Sequence, residues 1–576
     1  MKKEHTFLFI YAFFLGLVGV LSAHVFIFLL NHVQSLFLER LAHYQMGTVP
    51  SKANWFILIS TTLGGLISGI LVYSLAPEAE GHGTDAAIKA FHQTGGRIRA
   101  RVPFVKILAS AVTIGSGGSA GREGPVVQIS SGLASIFAQI TKLPVPERRL
   151  LLLIGMAAGL AAVFRSPIGA AIFAVGILYS EVDIEAHAVL FCLFASVTAY
   201  AINGVLVGWE PLFKIPGKIA VTELRQYLYF LSLGISSGLV ASVLPQIFYG
   251  TRDFFRRLKI PNWIKPAIGG LGVGLMALVF PQVLGGGYHW IQMAIDGKLA
   301  LTLMLILILA KMIALSLTVG SGGSGGVFAP SLFIGAMVGG TLAHFFHQAP
   351  APYVVVGMCA VFGAAARVPL ASLFMVIEMT GAFHILAAAA LSVTVSYVIQ
   401  RFLSGGFKYR SLYEGQVPTK FESPAHRGEF FYDILSDIKV CDIFDPHRKK
   451  WSVIPETLPF KDFITLYEHT GQHYFPVVDK EQKLVGIFSS NDIRPYLSER
   501  HLWDLLLIKD IARRDVITTH PSEDIHTLLR KFIIRNIEEL PVVDEKDPQK
   551  FLGFISRREV IAFYNKRLSQ LIQERS

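Results

Sequence analysis

The chain has 576 residues, 52% of them hydrophobic and only 16% charged, with a mean hydropathy of +0.51. A soluble globular protein carries roughly 25% charged residues, so the deficit excludes an ordinary water-soluble fold and asks for a membrane. The formal net charge of +11 suits the basic cytoplasmic loops of a membrane protein better than a nucleic-acid surface, and no nucleic-acid partner is expected.

Residues 7–30, 55–75, 226–250, 266–287 and 386–399 each run without Asp, Glu, Lys or Arg. Several of these runs approach the roughly 20 residues that cross a bilayer as helix. The first is too long for a signal peptide and no small-residue cleavage site closes it, so a retained helix is expected. Arg97, Arg99 and Arg101 in one interhelical segment, and Arg252, Arg256, Arg257 and Lys259 in another, mark two cytoplasmic loops. Cys192, Cys359 and Cys441 are scattered, which supports neither a disulfide framework nor a metal cluster. They read as packing residues.

An internal repeat organises the apolar part. GSGGSAGREGP at 115–125 aligns with GSGGSGGVFAP at 320–330, with seven of eleven positions identical, and PEAEGHG at 77–83 aligns with PQVLGGG at 281–287. AAVFRSPIGAAIF at 161–173 pairs with GAAARVPLASLF at 363–374 in the same order. Such duplication in a membrane protein predicts two inverted halves, here about 1–215 and 216–406, with the functional site where they join.

The repeated glycines interrupt helices at membrane depth, where irregular backbone is tolerated only beside a protein-lined or wet cavity. Each motif carries a proline just ahead of an apolar run, at 125 and at 330, which is a helix-start signal. Glycines before it let N–H groups converge, and the positive end of the helix dipole faces the gap. Several such starts meeting in the membrane hold a small monovalent anion by partial charge, weakly enough to let it leave. A phosphate loop would need G-K-[ST] where this chain has Gly121, Arg122 and Glu123. A dinucleotide fingerprint lacks its acidic residue at the required spacing. Close helix packing would explain the glycines but not the charges.

Glu123 lies inside the first motif, and an intramembrane carboxylate is a functional candidate. It can occupy the same cradle as an anion and leave on protonation, serving as gate and proton carrier. The second copy has Phe328 in its place, so the repeat is asymmetric at this point. Arg165 and Glu378 also lie in apolar surroundings, and pairing or helix-end roles are expected of them.

These residues resemble the CLC family of chloride channels and chloride/proton antiporters. GREGP at 121–125 is similar to the family's gating-glutamate motif and GVFAP at 326–330 to its G-x-F-x-P motif. The resemblance implies that Glu123 is the gating glutamate, that Gly81, His82, Gly83, Arg122, Gly124, Val327, Phe328 and Tyr413 form the anion pathway, and that the chain forms a homodimer in a lipid bilayer with one pore per subunit. Chloride is the default anion. The family's first loop usually reads G-S-G-x-P, and here His82 stands in the serine's place within GHGTD at 81–85. Histidine can donate an N–H and titrates near neutrality, so fluoride and nitrate stay open as substrates, as does a loop histidine turned away from the pore. The inner proton-carrying glutamate of the family's antiporters is replaced by Ile177, with Glu181 one turn further on. That leans toward passive conduction and leaves a proton-coupled antiporter as the alternative.

Composition changes near residue 403, and beyond 408 charges recur. A linker over 407–437 and two cytosolic modules over 438–500 and 501–569 are expected. HYFPVVDKEQKLVGIFSSNDI at 473–493 repeats as EELPVVDEKDPQKFLGFISRREV at 538–560, each after an amphipathic helix. These α/β units resemble a tandem CBS pair, whose Ser/Thr-x-x-Asp pattern implies an adenine nucleotide (ATP, ADP or AMP) at Ser489 and Asp492. Ser556 and Glu559 are the departing second copy. The expected fold is thus a mainly α-helical, polytopic, inverted-repeat membrane domain with broken helices, followed by a cytoplasmic tandem CBS module, in the bacterial inner membrane. No metal and no firm cofactor are expected. No enzyme is expected either, because nucleophile, base and orienting group do not occur together. A non-conducting nucleotide-sensing scaffold is the distant alternative.

Overall fold

In a bilayer each backbone N–H and C=O must be paired within the chain, so apolar runs close into helices. A computed structural model describes all residues except 1–2, 50–52, 218–220, 222, 427–437, 447–449, 536, 564–565 and 567–576. It divides the chain into two compact units, 1–425 and 426–576.

The first unit is helical. Its first half holds α1 (Lys3–Gln34), α2 (Trp55–Leu75), α3 (Thr84–Gln93), α4 (Arg101–Gly115), α5 (Glu123–Ile140), α6 (Val145–Phe164), α7 (Pro167–Gly176) and α8 (Val189–Val207). The second half holds α9 (Leu224–Arg257), α10 (Lys265–Ala277), α11 (Tyr288–Ile295), α12 (Leu301–Gly320), α13 (Phe328–Phe345), α14 (Pro350–Ala365), α15 (Pro369–Thr380) and α16 (Leu386–Ser404). The second set repeats the first helix for helix, with breaks at the aligned motifs. Among the described residues, seven helical stretches are long and apolar enough to cross a membrane.

The halves meet at the glycine breaks. Gly121 N–H donates to the Gly326 carbonyl and Gly326 N–H to the Gly121 carbonyl, both at 2.7 Å. Gly121 and Gly326 are equivalent positions of the repeat, and a residue bonding reciprocally to its own counterpart is what a local two-fold axis produces.

The stretch 407–425, expected as part of the linker, belongs to this unit. Its backbone is pinned from several helices, which a free linker would not be. Leu412 N–H donates to Ala365 at 2.9 Å, Tyr249 donates to the Leu412 carbonyl at 2.8 Å, and Gln416 Nε2 donates to the Ile177, Tyr179 and Ala366 carbonyls. The remaining linker residues, 427–437, lie outside the described residues, as do 567–569 at the end of the second module.

The second unit carries the expected tandem pattern. β1 (Ile454–Pro455), β2 (Tyr474–Val478) and β3 (Leu484–Ser489) form one sheet in that order, and β4 (Glu539–Val543) pairs with β5 (Phe551–Ser556). Both hairpins are antiparallel, with a register shift at Val477/Val478 in one and at Val542/Val543 in the other. The amphipathic helices Phe460–Tyr467 and Ile525–Arg535 precede them. One core gathers Phe460, Phe463, Phe475 and Phe488, the other Leu528, Phe532, Leu540 and Ile555.

Candidate functional site

The site is built on two helix starts. α5 begins at Glu123 and α13 at Phe328, so the N–H groups of each first turn have no intrahelical acceptor. The loop Gly81–Gly83 runs against the first of these ends. A Cβ added to Gly124 would lie 1.8 Å from the His82 carbonyl oxygen, and one on Gly83 would lie 2.6 Å from the Gly124 carbonyl oxygen. Backbone therefore touches backbone here, and Gly81 and Gly83 take φ of +72° and +81° to make the turn.

Glu123 is buried and folds back over this junction. Its Oε2 sits where a Cβ on Gly121 would be, 1.9 Å away, and close to Gly326. The start of α13 lies beside the same carboxylate, whose Oε2 has no hydrogen-bond partner among the described residues. The side chain thus rests in the backbone cradle shared by the two halves, with anion-binding dipoles around it. Its Oε1 accepts a hydrogen bond from the Tyr288 hydroxyl.

Two of the cavities that approach this point have linings that share no residue. One of about 560 Å³ is lined by His82, Asp85, Lys89, Arg97, Arg99, Arg252 and Arg256 among others, which brings the two predicted basic loops to one face. The other, of about 580 Å³, is lined by Arg122, Phe213, Lys214, Tyr288, His289 and Asp296. Arg122 therefore faces a different cavity from His82, with its guanidinium 4.6 Å over the Tyr288 ring.

His82 does not turn outward. Its ring is 6% exposed, 5.3 Å from the Tyr413 ring in an edge-on arrangement, and its Nε2 is 3.2 Å from Asp85 Oδ2. Asp85 Oδ1 also accepts the Gly415 N–H at 3.0 Å, which fixes Tyr413 beside the histidine. Val327 and Phe328 are buried, and the Phe328 ring packs on Phe164 and Phe362 at 4.9 and 4.4 Å.

Ile177 is buried among apolar neighbours, and Glu181 is half-exposed in an ion pair with Arg401 at 2.7 Å. Glu378 holds the N-terminus of α7, accepting from Ser166 Oγ at 2.5 Å, Gly169 N–H at 2.9 Å and Ile168 N–H at 3.2 Å. Arg165 donates to the Glu210 carbonyl. Neither residue faces the anion cradle, as their apolar settings suggested.

Three features escaped the sequence reading. Tyr288 holds the gate candidate, yet appeared only as the residue after an aligned GGG. Lys106 and Lys311 are fully buried and play one role twice. Lys106 Nζ donates to the Ala79 and Gly81 carbonyls at 3.0 and 2.7 Å, and Lys311 Nζ to the Val283 and Gly285 carbonyls at 2.8 and 2.7 Å. Their equal spacing from the glycine motifs was the available signal.

A model of the voltage gated chloride channel family matches residues 64–401, and the CBS domain model matches 440–499 and 508–566. The chain belongs to the CLC family. It is 30% identical over 366 residues to the H(+)/Cl(-) exchange transporter ClcA of Yersinia pestis bv. Antiqua (strain Angola), a match covering 62% of this chain and 76% of that protein. Its fold is similar to the crystal structure of a CLC-type fluoride/proton antiporter, with a TM-score of 0.63 at 22% identity, covering 73% of this chain and 99% of that one. A eukaryotic CLC transporter structure is similar over 96% of this chain and 97% of its own, with a TM-score of 0.57 at 19% identity. The chain is thus a multi-pass CLC membrane protein with a C-terminal CBS pair.

In that pair, Ser489 and Asp492 close a helix start. Ser489 Oγ and N–H donate to Asp492 Oδ2 at 2.7 and 2.9 Å, and Arg513 donates to Oδ1. Burial pushes the Asp492 carboxyl up, but the Ser489 and Arg513 bonds outweigh it and hold the group below the usual carboxylate range. Ser556 and Glu559 form the same cap in the second copy, beside a cavity of about 310 Å³ lined also by Asp445, Trp451 and Glu539.

Proposed function

We propose that this CLC protein carries small monovalent anions, chloride first, across the bacterial inner membrane through the junction of its two halves, with Glu123 as the gate. The observation that carries the reading is the Glu123 carboxylate lying in the cradle of backbone groups between α5 and α13. An anion and this side chain compete for one place, and protonation releases the side chain because a neutral acid no longer gains from the dipoles.

By the positive-inside rule, the cavity lined by Arg97, Arg99, Arg252 and Arg256 faces the cytoplasm, where the CBS unit also resides. His82 and Tyr413 line the inner end of the path, while Arg122 draws anions to the outer end. The functional unit is a homodimer with one pore per subunit. Passive conduction is favoured by Ile177, which offers no carboxylate, and by Glu181 being tied to Arg401. A second reading, proton-coupled exchange, is favoured by the 30% identity to a relative named as an H(+)/Cl(-) exchange transporter. The CBS pair is read as a site for adenine nucleotide that must first draw Asp492 away from Arg513.

Efflux from chloride-loaded vesicles with simultaneous proton recording tests this. Glu123→Ala is expected to conduct chloride without the pH dependence of the parent chain, and unchanged pH dependence removes Glu123 from the gate. Uncoupled efflux from the parent supports a channel, and uphill movement driven by a pH gradient supports an exchanger, with Ile177→Glu tightening the coupling.

A further inference from the structure

The cradle accounts for backbone donors, but it leaves several buried side-chain atoms without a partner, Glu123 Oε2, Arg122 Nε and His82 Nδ1 among them. His82 Nδ1 is buried and has no hydrogen-bond partner among the described residues, although the ring is fixed on both sides. Leaving such an atom unpaired costs about 1–3 kcal/mol, and in a native site it signals a missing ligand or a functional role.

Asp85 decides what that atom can be. It stands in the first turn of α3, where the helix dipole favours a negative charge, and it accepts the Gly415 N–H on one oxygen. Its other oxygen faces His82 Nε2 at 3.2 Å, so Nε2 carries a hydrogen. In a neutral imidazole with Nε2–H, Nδ1 is a lone pair, an acceptor only. A lone pair repels an anion. Once a second proton is bound, Nδ1–H becomes a donor and the imidazolium beside Asp85 makes a neutral pair, against which one monovalent anion can rest.

We infer that His82 takes up an anion and a proton together, so that anion occupancy at the inner end of the path rises with acidity. The proton comes from water of the inner cavity and binds Nδ1, and the anion accepts the new N–H. The Tyr413 ring centroid lies 5.3 Å from that of His82. The charged and titratable groups of the surrounding elements are Asp85 and Lys89 on α3, Tyr249 and Arg252 on α9, and Glu414 after Tyr413, all lining the cavity except Tyr413 itself. Lys106 of α4 bears on the loop through the Gly81 carbonyl. Glu78, Glu80, Arg97, Arg99 and Arg256 lie further along the cavity wall. Arg252 is already paired with Glu414 at 2.6 Å, and Arg99 with Glu78. His82 is the group whose protonation creates a donor facing the path.

This inference rests on the anion-transport reading, and the experiment separates the two. Chloride is titrated by calorimetry into the full-length chain carrying Glu123→Gln, which removes the competing gate carboxylate, in two buffers of different ionisation heat. The expected result is net uptake of up to one proton per chloride, with affinity changing by up to tenfold per pH unit. His82→Ser is expected to abolish the uptake. In Asp85→Asn the side-chain amide can donate to Nε2 and move the hydrogen of the neutral ring to Nδ1, so chloride binding persists and its proton linkage falls away. Chloride binding without proton uptake, full uptake in His82→Ser, or no chloride binding at any pH overturns the inference. If the parent chain still moves chloride in vesicles, the transport reading stands without it, and if the parent chain moves no anion, that reading fails by itself.

Discussion

The two halves of the membrane unit share a backbone and differ in chemistry. Each has a break between its fourth and fifth helices, a fully buried lysine tying two loop carbonyls, and a reciprocal bond across the junction. Yet Glu123 faces Phe328 as its counterpart, His82 faces Gly286, and Asp85 faces His289. The scaffold that holds the helix ends has been kept twice, while Glu123, His82 and Asp85 sit on the first copy and Tyr288, which holds Glu123, sits on the second. A two-fold frame can supply converging dipoles; a directional path needs the asymmetry.

The sharpest way to break the comparison is at the backbone contact. Gly124 has Ala329 as its counterpart, and only Gly124 is overlaid by a neighbouring carbonyl, 1.8 Å from an added Cβ. Gly124→Ala is expected to yield no folded protein on size-exclusion chromatography. Ala329→Gly, in the first turn of α13, is expected to lose no more than about 1 kcal/mol.

The lysines test the shared part. Lys311→Met leaves the Val283 and Gly285 carbonyls without the lysine, at roughly 1–3 kcal/mol per unpaired group, whereas in Lys106→Met the Ala79 carbonyl keeps the Ser324 hydroxyl and the Gly81 carbonyl keeps the Gly325 N–H, so Lys311→Met is expected to lose more thermal stability in detergent. A silent Lys311→Met variant would show that the strap carries no stability.

Gly121→Ala probes the asymmetric part. Its new Cβ meets the movable end of the Glu123 side chain at 1.9 Å rather than fixed backbone, so the variant is expected to fold and to expel the gate. Its vesicle efflux should match Glu123→Ala; efflux like the parent chain would mean the carboxylate does not rest in the cradle.

These contrasts mark what was legible in the sequence. The repeat, the helix starts at 123 and 328 and the CBS hairpins follow from glycine, proline and apolar spacing, which act locally. Asp85 as the partner of His82 stood three residues away but read as part of a loop motif. Tyr288 lies 165 residues from Glu123, and no local pattern joins them. Residues 407–425 look like a linker because they are polar, whereas in place they satisfy carbonyls at the ends of two distant helices, α7 and α14. Long-range pairing of polar groups is what single-sequence patterns do not carry.

The smallest expected effect lies in the tail. Asp492→Asn weakens a helix cap worth about 1 kcal/mol. Because the Asp492 carboxyl is held low in the folded chain, its contribution is present above the ordinary carboxylate range and is lost as pH falls through the folded value. Thermal shifts of the parent and the variant across acidic pH should converge. ATP, ADP or AMP at millimolar concentration should raise the transition of the parent, and no shift would leave the pair a structural module.

The central claim, that helix-end dipoles at the joined breaks form an anion site which Glu123 fills in turn, is tested most directly by bromide anomalous diffraction from crystals of Glu123→Gln and of the parent chain. A bromide peak between the starts of α5 and α13 that strengthens in the variant is the predicted result. No peak there in either crystal would contradict it.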